Sequence, residues 1–229
     1  GYTRLIGNIT LFAGIRNLNE DYLTTSCMSL FTNSSCGIFP TLSANYPIAN
    51  YPLAALCLDY KMTLGRFGIE SSLYNGKGYN GWSKGKHPFT FNPRKDGVFS
   101  ITEINYQTEY GKCFGGFSLH TNGDMPDVAG EWKTREREKK VSPKMTFAWW
   151  GYAERKLWSR VRQEVNLLVQ YTRTSSVFSE CRNYMGAGVT WIHAPGGQKR
   201  HEAGLFLSAA QFKSCNEVAG EVTYRYSFN

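Results

Sequence analysis

The sequence predicts an all-β fold, an antiparallel up-and-down β-barrel, and three observations support it. Polar and apolar residues alternate in runs of about ten residues, as in strands whose side chains point to two faces in turn. The 14 Tyr, 14 Phe, 6 Trp and 23 Gly favour strands joined by tight turns. Short turns also alternate with long loops along the chain.

The C-terminal stretch EVTYRYSFN shows the alternation clearly. One face carries Val222, Tyr224, Tyr226 and Phe228, and Arg225 lies on the polar face between Thr223 and Ser227. The same pattern predicts about ten strands. They are expected at residues 5–15, 52–62, 66–75, 98–108, 112–121, 143–153, 162–172, 183–193, 202–211 and 218–228.

The connections between these strands differ in length. Thr63–Arg66, Tyr110–Cys113 and Ala194–Arg200 supply the Gly and Pro that tight hairpins need. Long loops are expected at residues 17–51, 76–97 and 122–142. We interpret residues 1–229 as a single β-barrel domain or the C-terminal part of one.

Periodicity alone does not say which face is the inside. A soluble barrel or sandwich would bury the apolar face, whereas a membrane barrel turns that face toward lipid and keeps a wet interior. Strands of about ten residues exceed the usual five or six of soluble sheets, which favours the membrane alternative. We therefore expect Val222 and Tyr224 to face outward and Arg225 to face inward.

Charge and cysteine spacing argue against several classes of site. The formal net charge is +8, but its Lys and Arg are dispersed, and residues 133–140 mix both signs, so no nucleic acid is expected as a partner. The six cysteines lack the spacing of a zinc site, and no connectivity among the 15 possible ones is selected. No nucleophile elbow is present, so we predict no enzyme, no catalytic residue, no metal and no cofactor.

Three stretches, Asn17–Tyr60, Ser72–Gly81 and Phe91–Tyr106, resemble the carbohydrate-selective outer-membrane porin family of Gram-negative bacteria, the OprB-like porins. The matching features include Gly7-Asn8 on a strand, YPLAAL at a strand entry, and Asp-Gly-Val-Phe before a strand that bears Glu. The family typically has about sixteen strands. The resemblance therefore implies an incomplete or shortened member.

The resemblance implies a transmembrane β-barrel in the bacterial outer membrane that passes saccharides and other small hydrophilic solutes, and ions, by diffusion. Such a path needs hydrogen-bonding groups that hold the solute weakly. The polar faces supply the pore-lining candidates Arg16, Asp59, Lys61, Glu70, Tyr74, Glu103, Asn105, His120, Asn166, Gln170 and Arg225.

A segment near residues 30–47 is expected either to fold into the lumen as a constriction loop or to pack on itself outside. In the first case Leu30, Phe31, Ile38 and Phe39 anchor it. Its constriction-loop candidates are Asn33, Ser34, Ser35 and Phe39.

The expected partners are membrane lipid, saccharides in transit, and either a homo-oligomer or other envelope proteins. The alternative function is a soluble secreted all-β module that binds carbohydrate or protein. In that case the apolar residues of the last strand form a buried core.

Overall fold

The computed structural model describes residues 1–33, 36–80, 87–122, 145–175, 180–195 and 199–228, without the side chains of residues 199 and 228. Short helices occupy Pro40–Ser43 (α1) and Pro93–Asp96 (α2), and 3₁₀ turns occupy Leu18–Glu20 and Met28–Leu30. The strands are β1 (Tyr2–Ile6), β2 (Ile9–Arg16), β3 (Ala55–Leu64), β4 (Phe67–Asn75), β5 (Val98–Thr108), β6 (Gly111–His120), β7 (Thr146–Arg160), β8 (Gln163–Thr174), β9 (Cys181–His193), β10 (Lys199–Phe212) and β11 (Asn216–Phe228).

The strands form one sheet in sequence order from β1 to β11, and every neighbouring pair is antiparallel. This is the predicted up-and-down arrangement, with eleven strands among the described residues. No described pairing joins β1 to β11, so the sheet is not closed into a barrel.

The predicted single strand at residues 5–15 is wrong, because two strands share this stretch. β1 and β2 form a hairpin in which Ile6 pairs with Ile9, and Gly7 and Asn8 make the turn. Gly7 has φ +60°, a left-handed conformation that glycine adopts without a Cβ penalty. Gly-Asn was therefore a turn signal.

Strand β7 extends to Arg160, well beyond the predicted end at residue 153. Its last half carries Glu154, Arg155 and Lys156 in a row, so the apolar alternation is lost there. The register with β8 also shifts between Lys156 and Trp158. Such an irregularity interrupts the period on which the prediction relied.

Short turns and long connections lie at opposite ends of the sheet. Two-residue turns follow β1, β3, β5 and β7, and residues 194–198 join β9 to β10 at the same end. The opposite end carries the three longest connections, at residues 17–54, 76–97 and 121–145, together with shorter ones at 175–180 and 213–215. In the described part of the predicted loop at residues 76–97, the one helix is α2, and residues 81–86 lie outside the described residues. Most of the predicted loop at 122–142, including the charged run at 133–140, lies outside the described residues.

The two faces of the sheet differ in chemistry. On β8, Asn166 and Gln170 are buried while Leu167 and Val169 are exposed, and the adjoining strands continue both rows in register. On β11, Val222 and Tyr224 are exposed, as expected from the sequence. We call the two sides the covered face and the outer face.

Residues 17–54, which we call the inner segment, pack on the covered face and make it the core of the protein. Their largest fully buried side chains include Leu18, Tyr22, Leu23, Phe39 and Leu42. Burial of each such side chain contributes about 1.5–3 kcal/mol relative to exposure. The segment predicted as a loop is thus the main packing partner of the sheet.

The covered face makes room for the inner segment by using small residues. Phe31 packs against Phe206 with ring centroids 5.2 Å apart. A Cβ on Gly204, next to Phe206 on the same face, would lie 2.7 Å from the Phe31 ring. Glycine at position 204 therefore allows the close approach of Phe31.

No helix among the residues that the structure describes is long and apolar enough to cross a membrane.

Candidate functional site

A cluster of charged residues lies where β2, β3 and β4 meet the inner segment. Arg16, the last residue of β2, contacts Asp21 and Glu20 of the inner segment and Asp59 of β3, the last at 3.2 Å. Asp59 also accepts a hydrogen bond from Ser72 Oγ at 2.6 Å. The guanidinium thus ties the inner segment to the sheet through several carboxylates.

Lys61 is the second cation of this cluster. Its Nζ lies 3.0 Å from Asp21 and 3.1 Å from Glu70, its partner in the register of β3 and β4. Glu70 pairs in turn with Glu103 on β5, so two carboxylates stand on neighbouring strands. Carboxylates exceed cations in this cluster, and the local potential is therefore negative.

Glu103 connects three parts of the molecule. Its Oε2 accepts hydrogen bonds from the backbone N–H of Leu23 and from Nε1 of Trp150, both at 3.4 Å. Trp150 is on β7, and Leu23 is in the inner segment. A buried carboxylate here has donors from both the wall and the segment, which offsets part of its desolvation.

Asp21, Asp59 and Glu70 each offer an oxygen within 4.8 Å of the others, a geometry that could hold a metal ion. Arg16 and Lys61 already contact these carboxylates. The two cations therefore already neutralise part of the negative charge that would attract a metal ion to these three carboxylates.

Hydroxyl and amide groups dominate the part of the covered face that meets α1. Thr41 and Thr172 share a hydrogen bond at 2.6 Å. Asn45 donates to the Cys181 carbonyl at 2.7 Å and accepts from the Cys181 N–H at 2.9 Å. This side of the inner segment is fixed by neutral hydrogen bonds rather than by ion pairs.

His120 lies at the boundary with the loop at residues 76–97. It donates from Nε2 to the Gly76 carbonyl at 2.7 Å, and its ring stacks on Tyr46 of the inner segment at 5.3 Å. Nδ1 accepts a hydrogen bond from the Asn122 N–H at 3.1 Å, so this nitrogen carries no proton and the imidazole that contacts Tyr46 is neutral.

The last strand also contacts the inner segment. Glu221 accepts hydrogen bonds from the N–H groups of Thr32 and Asn33, both at 2.8 Å, and from Thr32 Oγ1. Arg225 donates to Glu202 at 2.7 Å and to the Ser29 carbonyl at 3.1 Å. The inner segment therefore extends across the covered face from β2 to the edge strand β11.

The pore-lining candidates all point to the covered face, as the register shows. The buried ones are Asp59, Glu70, Tyr74, Glu103, His120, Asn166 and Gln170. The partly or largely exposed ones are Arg16, Lys61, Asn105 and Arg225. Many of these side chains lie behind the inner segment, and their role in lining a path stays a prediction.

The constriction-loop candidates divide between the described and the undescribed parts of the chain. Leu30, Phe31, Ile38 and Phe39 are buried in the core cluster, and a constriction of the lumen by this segment stays a prediction. Phe39 packs on Tyr184 with ring centroids 6.0 Å apart. Asn33 donates to Glu221, and Ser34 and Ser35 lie outside the described residues.

Sequence reasoning missed several residues that hold the inner segment. Tyr22 and Ser72 share a hydrogen bond at 2.6 Å, and Thr25 shares one with Tyr152 at 2.9 Å. Each pair is at least 50 residues apart in the sequence. The signal for these contacts was the recurrence of apolar residues among the Ser and Thr of residues 21–31. This recurrence could have indicated that the stretch, with Tyr22 and Thr25, packs on the sheet.

Burial in the inner segment changes the chemistry of its titratable groups. It raises the pKa of the Tyr22 hydroxyl above its usual value. It also raises the pKa values of the Cys27 and Cys36 thiols to about 12. These thiols are therefore poor nucleophiles near neutral pH.

No protein-family model and no curated protein matches this chain. Among solved structures, OprB of Pseudomonas putida, determined at high pH, superimposes with a TM-score of 0.69 at 16% sequence identity. The match covers 91% of this chain and 52% of OprB. The chain therefore spans about half the length of the solved structure that it resembles.

The superposition agrees with the antiparallel order of the eleven strands and with the resemblance stated from sequence. The chain has an OprB-like porin fold.

Proposed function

We propose that this protein is an outer-membrane porin through which saccharides and other small hydrophilic solutes diffuse passively. The observation that carries the proposal is the exposure of large apolar side chains along the outer face of the strands. Leu58, Leu73, Leu205, Leu207 and Val222 are among them. Exposed apolar rows of this extent suit contact with lipid rather than with water.

The polar covered face supports the same proposal. A membrane barrel keeps its polar residues on the inner side, where a hydrophilic solute can be hydrated or hydrogen-bonded. Here that side holds the cluster of Arg16 and Lys61 and the hydroxyl groups near α1. A soluble binding module would place its polar residues on the outer face instead.

The fold match supports a channel rather than an enzyme and points to the outer membrane. The proposed partners are membrane lipid and saccharides in transit. Both β1 and β11 lack a second neighbour among the described strands. A homo-oligomer or other envelope proteins are further proposed partners, because an unpaired strand edge can pair with another strand.

Reconstitution tests the proposal. The purified protein, refolded in detergent, is inserted into liposomes, and swelling is followed in isotonic sugars of increasing size. We expect uptake that falls with sugar size, together with a compact species whose gel mobility changes on heating. A heat-denatured sample of the same preparation is the control. A protein that folds and stays monodisperse in plain buffer, and does not permeabilise liposomes, would instead be the soluble module.

A further inference from the structure

The inner segment has two sides between Leu18 and Thr32. Its apolar residues are buried, and they are Leu18, Tyr22, Leu23, Cys27, Met28, Leu30 and Phe31. Asp21 and Thr25 are half-buried, and the other polar residues of this stretch are exposed, namely Asn19, Glu20, Thr24, Ser26, Ser29 and Thr32. The segment thus docks its apolar side on the sheet and turns its polar side away from the sheet.

Docking of the segment closes off the sheet beneath it. Asp59 and Glu103 are only 7% and 5% exposed, and Ser118 on the same face is 1% exposed. A solute on the inner side of this wall therefore meets the inner segment before it meets the covered face. The contact surface is set by the exposed polar side chains of the segment.

Two cations border this polar side. Lys112 Nζ lies 3.1 Å from the Thr24 carbonyl, and Arg225 Nη1 lies 3.1 Å from the Ser29 carbonyl. Both carbonyls are fixed by these contacts. These contacts hold the backbone that carries the neighbouring hydroxyl side chains, on a segment whose other side is packed.

We propose that the hydroxyl edge, Thr24, Ser26, Ser29 and Thr32, is the surface that a neutral polyhydroxylated solute contacts in transit. A hydroxyl both donates and accepts, so it matches the hydroxyl groups of a saccharide without fixing a charge. Ser29 and Thr32 already donate to the Ser26 carbonyl and to Glu221, so these two offer a solute their acceptor lone pairs. Such contacts are weak, and weak contacts let a solute enter and leave quickly. This inference rests on the proposed porin function and assigns its contact surface.

Cysteine substitution on the hydroxyl edge tests the inference. The background is the Cys113→Ser, Cys215→Ser protein, which lacks the two exposed cysteines. Ser26→Cys is placed in this background and treated with a bulky, charged, water-soluble thiol reagent in planar bilayers. We expect complete modification by mass spectrometry and a loss of at least about half of the single-channel current, since the adduct occupies the path.

Ser118→Cys is the matched control. Ser118 is buried on β6 behind the inner segment, and its hydroxyl has no hydrogen-bond partner among the described residues. Its replacement by cysteine therefore removes no described hydrogen bond. We expect no modification and an unchanged current. Equal modification and equal block at Ser118 and Ser26 would show that the path follows the sheet and would overturn the inference.

The remaining outcomes separate the inference from the proposed function. Two outcomes overturn the inference about the hydroxyl edge and leave the porin proposal standing. In the first, the channel conducts normally although Ser26→Cys is fully modified. In the second, the channel conducts but this cysteine does not react. A folded protein with no conductance in any variant overturns the porin proposal itself. In a conducting channel, Thr24→Val is expected to slow sugar uptake about twofold, the size of one weak hydrogen bond, without changing ionic conductance.

Discussion

Trp149 and Trp150 are neighbours on β7 that lie on opposite faces of the sheet. Trp149 is 42% exposed on the outer face, whereas Trp150 is 3% exposed and donates a hydrogen bond to Glu103. Because successive side chains of a strand point to opposite faces, these two neighbours report on the outer face and on the covered face, respectively.

Quenching by brominated lipids should distinguish the two tryptophans. In liposomes, Trp149→Phe is expected to remove a quenched component of the fluorescence, because the Trp149 ring contacts acyl chains. Trp150→Phe should remove a component that the lipid does not quench. Equal losses of quenching in the two variants would contradict the assignment of the faces.

A charge on the outer face should destabilise the protein in a membrane. Leu205 is exposed near the middle of β10, and Leu205→Arg is expected to cost about 2–4 kcal/mol in the free energy of unfolding, as for Arg at a bilayer midplane. Urea unfolding in liposomes, followed by gel mobility, measures this cost. Val161→Arg, in the turn between β7 and β8, is the control and should be neutral. A neutral effect at Leu205 would indicate that this face meets water.

The faces of the strands were predictable because alternation is a local property of the sequence. Leu167 and Asn166, for example, reveal their opposite faces without any knowledge of neighbouring strands. The turn at Gly7 was missed because a two-residue hairpin barely interrupts an alternating run.

The docking of the inner segment was harder to predict. Its contacts are long-range, as between Thr25 and Tyr152, 127 positions apart, and no periodicity relates such residues. The sequence marked Leu30 and Phe31 as anchors because they are apolar residues in a polar loop. The sequence could not show that Glu221 would bind the same segment, since a Glu on the polar face of an alternating strand is common.

Ion selectivity should respond to Arg16. Arg16→Gln removes a positive charge that contacts Asp21 and Asp59, so the remaining carboxylates make the local potential more negative. We expect the reversal potential in a KCl gradient to move toward the value for a cation-selective pore. Arg173→Gln removes the same charge from the outer face and should leave the reversal potential unchanged. A shift toward anion selectivity would contradict the placement of this cluster beside the path.

Thiol reactivity should follow burial and pKa. The pKa values of Cys27 and Cys36 are raised to about 12, so at pH 7.5 their reactive thiolate fraction is far smaller than that of an ordinary cysteine. Maleimide labelling with mass spectrometry is expected to modify exposed Cys215 first, because the other exposed cysteine, Cys113, lies on the outer face that we propose to contact lipid. The rates at Cys27 and Cys36 should rise about tenfold for each pH unit below 12. Denatured protein should label at all six cysteines, and equal native rates at Cys36 and Cys215 would contradict the expected pKa.

Glu221 should control how firmly the inner segment is held against β11. In Glu221→Gln the carboxylate that accepts from Thr32 and Asn33 loses its charge and one acceptor oxygen, at a cost of about 1–2 kcal/mol. The lost hydrogen bonds lower the free energy that is needed to open the inner segment locally. Limited proteolysis should therefore cut within this segment several times faster, while the sheet stays resistant. Glu217→Gln, on the same strand and face, makes the same chemical change without a described hydrogen bond to the segment, and it should retain the native cleavage rate. If both variants are cleaved at the native rate, the segment is held by its apolar anchors alone, and the hydrogen bonds to Glu221 do not limit its opening.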